Sequence, residues 1–179
     1  KDFKYYLYTD LAKEFPFNVL DEESCLNNEK FIAFKDEYAE SAAGKNSKRL
    51  PYDGYSHYLG LYKKRTEQLS EIFPEADAFM VVELNYTVAA KTMVGGNGAA
   101  GGKAKANISL YHKSGKRIMY VGAMGMSESS IKVVMGQIVS DRSEIPGTLK
   151  EGSEELYVDM KENLPKKIKK MEKKLAKIK

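Results

Sequence analysis

Residues 103–112, KAKANISLYH, alternate apolar and polar side chains without a break. Ala104, Ala106, Ile108 and Leu110 share one parity; Lys103, Lys105, Asn107 and Ser109 share the other. A period of two cannot be one face of a helix, so this stretch is fixed as a half-buried strand. AFMVVELNYTVAA (78–90) carries the same period. Met80, Val82, Leu84, Tyr86 and Val88 fall on one side and Phe79, Val81, Glu83, Asn85 and Thr87 on the other. This second strand is expected to begin buried on both faces and to end with one face in water.

Between the two strands lies GGNGAAGG (95–102), which contains G-x-G-x-x-G at Gly96, Gly98 and Gly101. A dinucleotide site needs a helix opening on the last glycine and an acidic residue about 20 positions on. Here the period of two resumes at once, and the next acidic residue is Glu128, so no helix N-terminus meets a pyrophosphate. The phosphate-loop pattern fails as well, with Asn97 at its first glycine and Ala104 at its Ser/Thr. The stretch reads as a hairpin tip, expected to be among the most mobile parts of the chain, with a strand on each side.

The remaining elements follow from spacing. Phe3, Leu7, Leu11 and Phe15 recur every fourth residue, marking an amphipathic helix over 2–14 that Pro16 stops. FNVL (17–20) is a short strand candidate, and Asp21 suits the N-cap of a helix holding Cys25. Phe31, Phe34 and Tyr38 suggest more helix before a polar loop at 42–54. Tyr58, Leu59, Tyr62, Leu69, Ile72 and Phe73 mark a helix of about 19 residues ended by Pro74. KSGK (113–116) is a tight turn with Gly115 at positive φ, and RIMYVGAM (117–124) returns as a strand. IKVVMGQIV (131–139) fits either a fifth short strand or a packed loop. Tyr157, Met160, Leu164, Ile168, Met171, Leu175 and Ile178 form one stripe of a long C-terminal helix. Pro165 either kinks that helix or starts a second one.

The expected fold is α/β (α+β): a mixed, mainly antiparallel sheet of four or five strands with packed helices and a long C-terminal helix. The first two strands, separated by helices, are candidates for a parallel, right-handed crossover. Residues 1–160 are expected to be a single domain, with 161–179 as the basic end of its last helix.

Charge is unevenly spread. Residues 161–179 hold nine lysines against Glu162 and Glu172, so the net charge of +4 hides a mildly acidic body. Lys166, Lys167, Lys169, Lys170, Lys173 and Lys174 are the candidate contacts to an anionic surface, lipid or nucleic acid. The tail has no arginine or aromatic residue, which weakens base recognition and interfacial anchoring; a solvated helix face is the simpler reading.

Candidates for catalysis are sparse. Ser127 and Ser129 stand in GMSES, which lacks the last glycine of a nucleophile elbow. Ser129 and Lys132 form S-x-x-K without its companion motifs. His57 and His112 have no metal-ligand spacing, and the single cysteine, Cys25, permits no intramolecular disulfide. No apolar run approaches the roughly 20 residues that cross a bilayer as a helix. Asp77 is expected to close the turn into the first long strand. Catalytic, cofactor and metal sites are not expected.

Ala76-Asp77-Ala78 at the strand start, together with LYHKSGK (110–116) and the closing helix, resembles small bacterial envelope lipoproteins. Those modules are similar to the curli-secretion and penicillin-binding-protein-activator lipoproteins. The likeness covers residues 70–178, and His112 stands where related turns carry an acidic residue. It implies an exported, periplasmic or outer-membrane-associated module that is not an enzyme. Such a module is held by an upstream lipidated cysteine other than Cys25 and acts on a protein partner of the envelope, with no nucleic acid and no cofactor. A cytoplasmic module binding nucleic acid or anionic membrane through its lysine-rich helix is the alternative, and a serine hydrolase using Ser129 or Ser127 the third.

Overall fold

The structure, a computed structural model, describes residues 3–20, 22–34 and 63–177. In chain order these form helix α1 (Phe3–Thr9), a 3-10 turn (Leu11–Glu14), helix α2 (Glu22–Leu26) and helix α3 (Lys63–Ile72). Strands β1 (Ala78–Val94), β2 (Asn97–His112), β3 (Arg117–Met126), β4 (Ile131–Val134) and β5 (Gln137–Ile138) follow. A 3-10 turn (Arg142–Glu144) then leads into helix α4 (Ile145–Leu175), and residues 29–34 are also helical. The strands make one five-stranded sheet in the order β1-β2-β4-β5, with β3 also paired to β2. This is the α+β architecture with a long last helix that the two periodicities predict. Asp21, Tyr38, 42–54, 55–62 with His57, and Ile178 lie outside the described residues.

β2 is the central strand, as its alternation requires. Ala104, Ala106 and Ile108 are fully buried and Leu110 nearly so, while Lys105 on the opposite parity is exposed. β4 pairs with the start of β2 in the register Gly98↔Val133, Ala99↔Lys132 and Ala100↔Ile131. β1 departs from expectation: of its 17 residues only Phe79 is buried, because the strand lies at the sheet margin rather than inside it.

Short turns shape the sheet. Gly115 (φ 82°) sits in the 113–116 turn as predicted. Gly95 (φ 56°) and Gly96 (φ 81°) alone make the β1–β2 turn, so residues 97–102 are strand rather than loop. The open alternative at 131–139 resolves into two short strands joined by Met135 (φ 51°) and Gly136 (φ 77°). Positive φ at both central residues is what a type I′ hairpin turn demands.

The other glycines of the 95–102 stretch serve packing. A Cβ on Gly102 would lie 2.2 Å from the carbonyl carbon and oxygen of Thr148, and one on Gly125 would lie 2.2 Å from Gly152 O and Leu156 N. A Cβ on Gly152 would in turn meet Gly102 O at 2.6 Å. The backbone of α4 therefore rests directly on β2 and β3. This explains why α4 starts at Ile145, well before the apolar stripe that marks it in the sequence. Its first turns carry Gly147, Thr148, Gly152 and Ser153, poor helix formers that no hydrophobic periodicity reveals. Farther along, Leu156, Met160, Leu164, Ile168 and Met171 are buried as a stripe. Pro165 neither ends the helix nor divides it. Leu164 and Ile168 on either side of it are both anchored in the core, which offsets the lost backbone bond.

The chain divides into two compact units. One comprises the described parts of Lys1–Pro16, Val82–Ser109 and Met119–Lys179. In it the stripe Phe3, Leu7, Leu11 and Phe15 is buried as predicted, although the last turn tightens to 3-10 geometry. Ala100, Ile131 and Val133 pack with Val88 and Ile145 beneath β4. The other unit comprises the described parts of Phe17–Val81 and Leu110–Ile118. Its core is Leu69, Phe73 and Phe79, with half-buried Cys25, Phe31, Phe34, Ile72 and Ala76 against it. Residues 17–20 are not a strand and the expected parallel crossover does not form; a four-residue apolar run fits a packed loop equally well.

Replacing Gly125 by alanine is expected to destabilise the protein by about 1–3 kcal/mol or more, since backbone on both sides must shift. Gly147→Ala, in open space on α4, is expected to stabilise by up to about 1 kcal/mol. Urea denaturation of the two variants measures both signs.

Candidate functional site

Ser127, one of the serines that suggest chemistry in the sequence, is committed to structure. Ser127 is buried; its Oγ accepts the Gly102 N–H (2.9 Å) and donates to the Ser129 carbonyl (2.8 Å). Lys91 Nζ donates to the carbonyls of Ser127 (2.8 Å), Glu128 (2.6 Å) and Ser129 (3.4 Å). The Glu151 carboxylate accepts the Ser129 N–H (2.9 Å), a bond that lowers its pKa. These bonds tie the exit of β3 to β1, β2 and α4. The Ser127 hydroxyl is thus engaged as both donor and acceptor. Among the described residues no cluster of three or more His, Cys, Asp and Glu side chains is placed to hold a metal ion.

A second cluster joins α1 to α4. Tyr157 O–H donates to Asp10 Oδ2, and Lys161 Nζ donates to both Asp10 Oδ2 (3.0 Å) and Tyr157 Oη (3.0 Å). Tyr6 stacks on Tyr157 with ring centroids 4.3 Å apart. The hydrogen bonds from Tyr157 and Lys161 hold the Asp10 carboxyl below its ordinary value of 3.8. Those that Lys161 makes to Tyr157 and Asp10 raise its ammonium above 10.5. The sequence shows Tyr157 only as part of an apolar stripe; its i, i+4 relation to Lys161 is the signal for this clamp.

The two stretches that carry the family resemblance meet. The Lys113 N–H donates to the Asp77 carbonyl (3.0 Å), and Lys113 Nζ bonds the Asp77 carboxylate (2.8 Å), which lowers the Asp77 pKa. Asp77 therefore closes the entry to β1, as expected. His112 Nδ1 lies 3.2 Å from the Ser114 N–H, the acceptor role an aspartate side chain takes in such a turn.

The six candidate lysines all lie on α4 with Leu164, Ile168 and Met171 buried on its other side. Lys166, Lys169, Lys170, Lys173 and Lys174 are exposed and Lys167 is half-buried. The apolar stripe is consumed by the core, so only an electrostatic contact is open to this face.

Two further surfaces leave little trace in the sequence. The first is the outer edge of β1, to which no strand among the described residues pairs. At 17 residues it is about three times the common strand length. Natural edges are guarded by lysines, prolines or bulges. Between Ala78 and Ala90 β1 has no lysine or proline, and its one charge, Glu83, accepts from Asn107 Nδ2 (2.9 Å). Asn107 Oδ1 in turn accepts from Tyr120 O–H (2.9 Å). The second surface is the paired turns. Gly136 N–H donates to Gly96 O (2.7 Å) and Met135 N–H to Asn97 Oδ1 (3.0 Å). Around them Met93, Val94, Met135, Ile138 and Val139 are exposed, Val94 at 84% and Met135 at 83%. The sequence signal is the absence of charge from residues 92–102 and 133–140, which the glycine spacing obscures.

The Asp10 clamp has a defined pH dependence. With its folded pKa lowered, Asp10 stabilises the protein above the unfolded value, and this contribution is lost as pH falls from about 5 through the folded pKa. In Asp10→Asn the contribution is absent throughout. The difference in melting temperature between the two proteins is expected to shrink steadily on acidification below about pH 5.

No protein-family model matches this chain, and a search of curated proteins finds no significant relative.

Proposed function

We propose that this protein is a non-enzymatic binding module of the bacterial cell envelope that acts through protein–protein contact. The observation that carries the reading is the long outer edge of β1, to which no strand among the described residues pairs. Unpaired N–H and C=O groups along a strand margin accept an extended segment of another chain, main-chain hydrogen bonds supplying affinity and alternate side chains specificity. Asn85 and Thr87 are exposed and Tyr86 is 40% exposed, so an added strand meets polar and aromatic side chains on β1. The commitment of Ser127, Lys91 and Glu151 to internal bonds supports a contact role over a hydrolytic one. The resemblance at Asp77 and 110–116 supports the envelope as the compartment and an upstream lipid anchor as its attachment.

A second reading, contact with an anionic membrane or nucleic acid, is favoured by the outward lysines of α4. It requires binding that salt weakens, because the face offers charge without apolar area. Lys166→Glu/Lys170→Glu/Lys173→Glu is expected to abolish retention on heparin if this reading holds and to leave it unchanged otherwise.

The leading reading is tested in cells of the native host, with the natural upstream sequence in place. A photo-crosslinking amino acid at Asn85 or Thr87 is expected to give a discrete protein adduct in the membrane fraction. The same probe at Lys170 is expected to give none. Adducts from Lys170 but not from β1, or a protein confined to the cytosol and carrying no lipid, would overturn it.

A further inference from the structure

We propose that the paired turns are a foot that seats the protein on an anionic lipid bilayer, with Val94 and Met135 entering the acyl boundary. This surface is distinct from the β1 edge and does not depend on strand addition there. Val94 and Met135 are the most exposed large hydrophobic residues among those described; Val94 ends β1 against its two-residue turn, and Met135 lies in the other turn. Residues 92–102 and 133–140 contain no charged side chain, in a chain that is 30% charged. Both turns can therefore leave water without stranding an ion.

Met135 adds an independent observation. Its φ of 51° is a left-handed conformation that glycine or asparagine adopts with less strain. Here the fold holds a bulky apolar side chain in that conformation and leaves 83% of it in solvent. Among the described residues the fold covers little of that side chain, which an apolar medium outside the chain would cover.

The chemistry favours lipid over a protein pocket. Neither stretch contains Trp, Tyr or Arg, the commonest hot-spot residues of protein interfaces. Without an aromatic belt, the hold on a bilayer rests on aliphatic burial and on the charge behind it. Aliphatic knobs on a tip need a shaped cavity in a protein but no cavity in a bilayer. The first charged residue on three of the four chain segments leaving the tip is a lysine: Lys91, Lys103 and Lys132, with Asp141 on the fourth. Lys91 is fixed by three carbonyls, near Glu151, and Lys132 is exposed, so positive charge stands behind the apolar tip where anionic headgroups lie. The bonds from Gly136 to Gly96 and from Met135 to Asn97 hold the turns together, so the two side chains insert without first being ordered. Insertion is shallow: among the described residues no helix is long and apolar enough to cross a membrane.

The test is flotation of the full chain with vesicles of phosphatidylcholine alone or mixed with phosphatidylglycerol. The wild-type protein is expected to float with the mixed vesicles and less with the neutral ones. Val94→Asn/Met135→Asn puts asparagine, which suits positive φ, at position 135 and alters an exposed strand end at position 94, so its melting temperature is expected to change little. Its vesicle affinity is expected to fall about tenfold or more, the equivalent of one buried aliphatic side chain. Asn85→Lys/Thr87→Lys at the β1 edge and the triple glutamate variant of α4 are expected to float like wild type. Equal flotation of the asparagine variant, no flotation of wild type, or loss of flotation only in the α4 variant would each overturn the proposal. So would an asparagine variant that floats normally but loses self-association, since the tip would then be a contact between copies of the chain.

Discussion

The rest of the structure depends on the direct contact of one helix backbone with two strands. At Gly102, Gly125 and Gly152 there is no room for a single methyl group between α4 and the sheet. A helix held that close can run in only one direction across β2 and β3. Its later turns then bring Leu156, Met160 and Leu164 into the core. The same path delivers Asp159 to the Met124 N–H (3.0 Å) and Tyr157 to Asp10 of the N-terminal segment. Small residues set the distance, large ones fill the space that results, and the polar clamps record the angle.

The strands and the last helix are legible in the sequence because their periodicities are strong and unbroken. Ala104, Ala106, Ile108 and Leu110 declare β2, and the stripe from Met160 to Met171 declares the end of α4. What stays hidden has other physical causes. The first turns of α4 are written in glycine, serine and threonine, which signal loop when read locally and close packing only once the sheet is known. Gly101 and Gly102 read as loop for the same reason: a glycine needed for proximity looks like one needed for a turn. Edge position is invisible to periodicity, so β1 reads as more buried than it is. The lysine face is legible as charge, yet its separation from the buried stripe follows only from the packed helix.

Three groups able to do chemistry are spent, among the described residues, on holding backbone. A lysine gathers three carbonyls, a buried serine bridges an amide and a carbonyl, and a histidine caps a turn. The surfaces left over are an unpaired strand margin, a row of outward lysines and an uncharged apolar tip. Each offers a different force to a contact: main-chain hydrogen bonding, Coulomb attraction and exclusion from water. The lysine row lies on α4, whereas the strand margin and the tip share β1, whose end carries Val94.

The hydrogen bond from Gly136 to Gly96 couples two loops that are 40 residues apart in the chain. Loops usually drift in length among related proteins, each on its own. Here β2 pairs with β4 only two residues beyond the turn, at Gly98 and Val133. A longer turn on either side would carry Gly96 O and Gly136 N–H apart and break the bond that pairs the two tips. The two turns therefore behave as one unit: the length of each is matched to the other, and the freedom left at the tip lies in its side-chain chemistry rather than its backbone geometry.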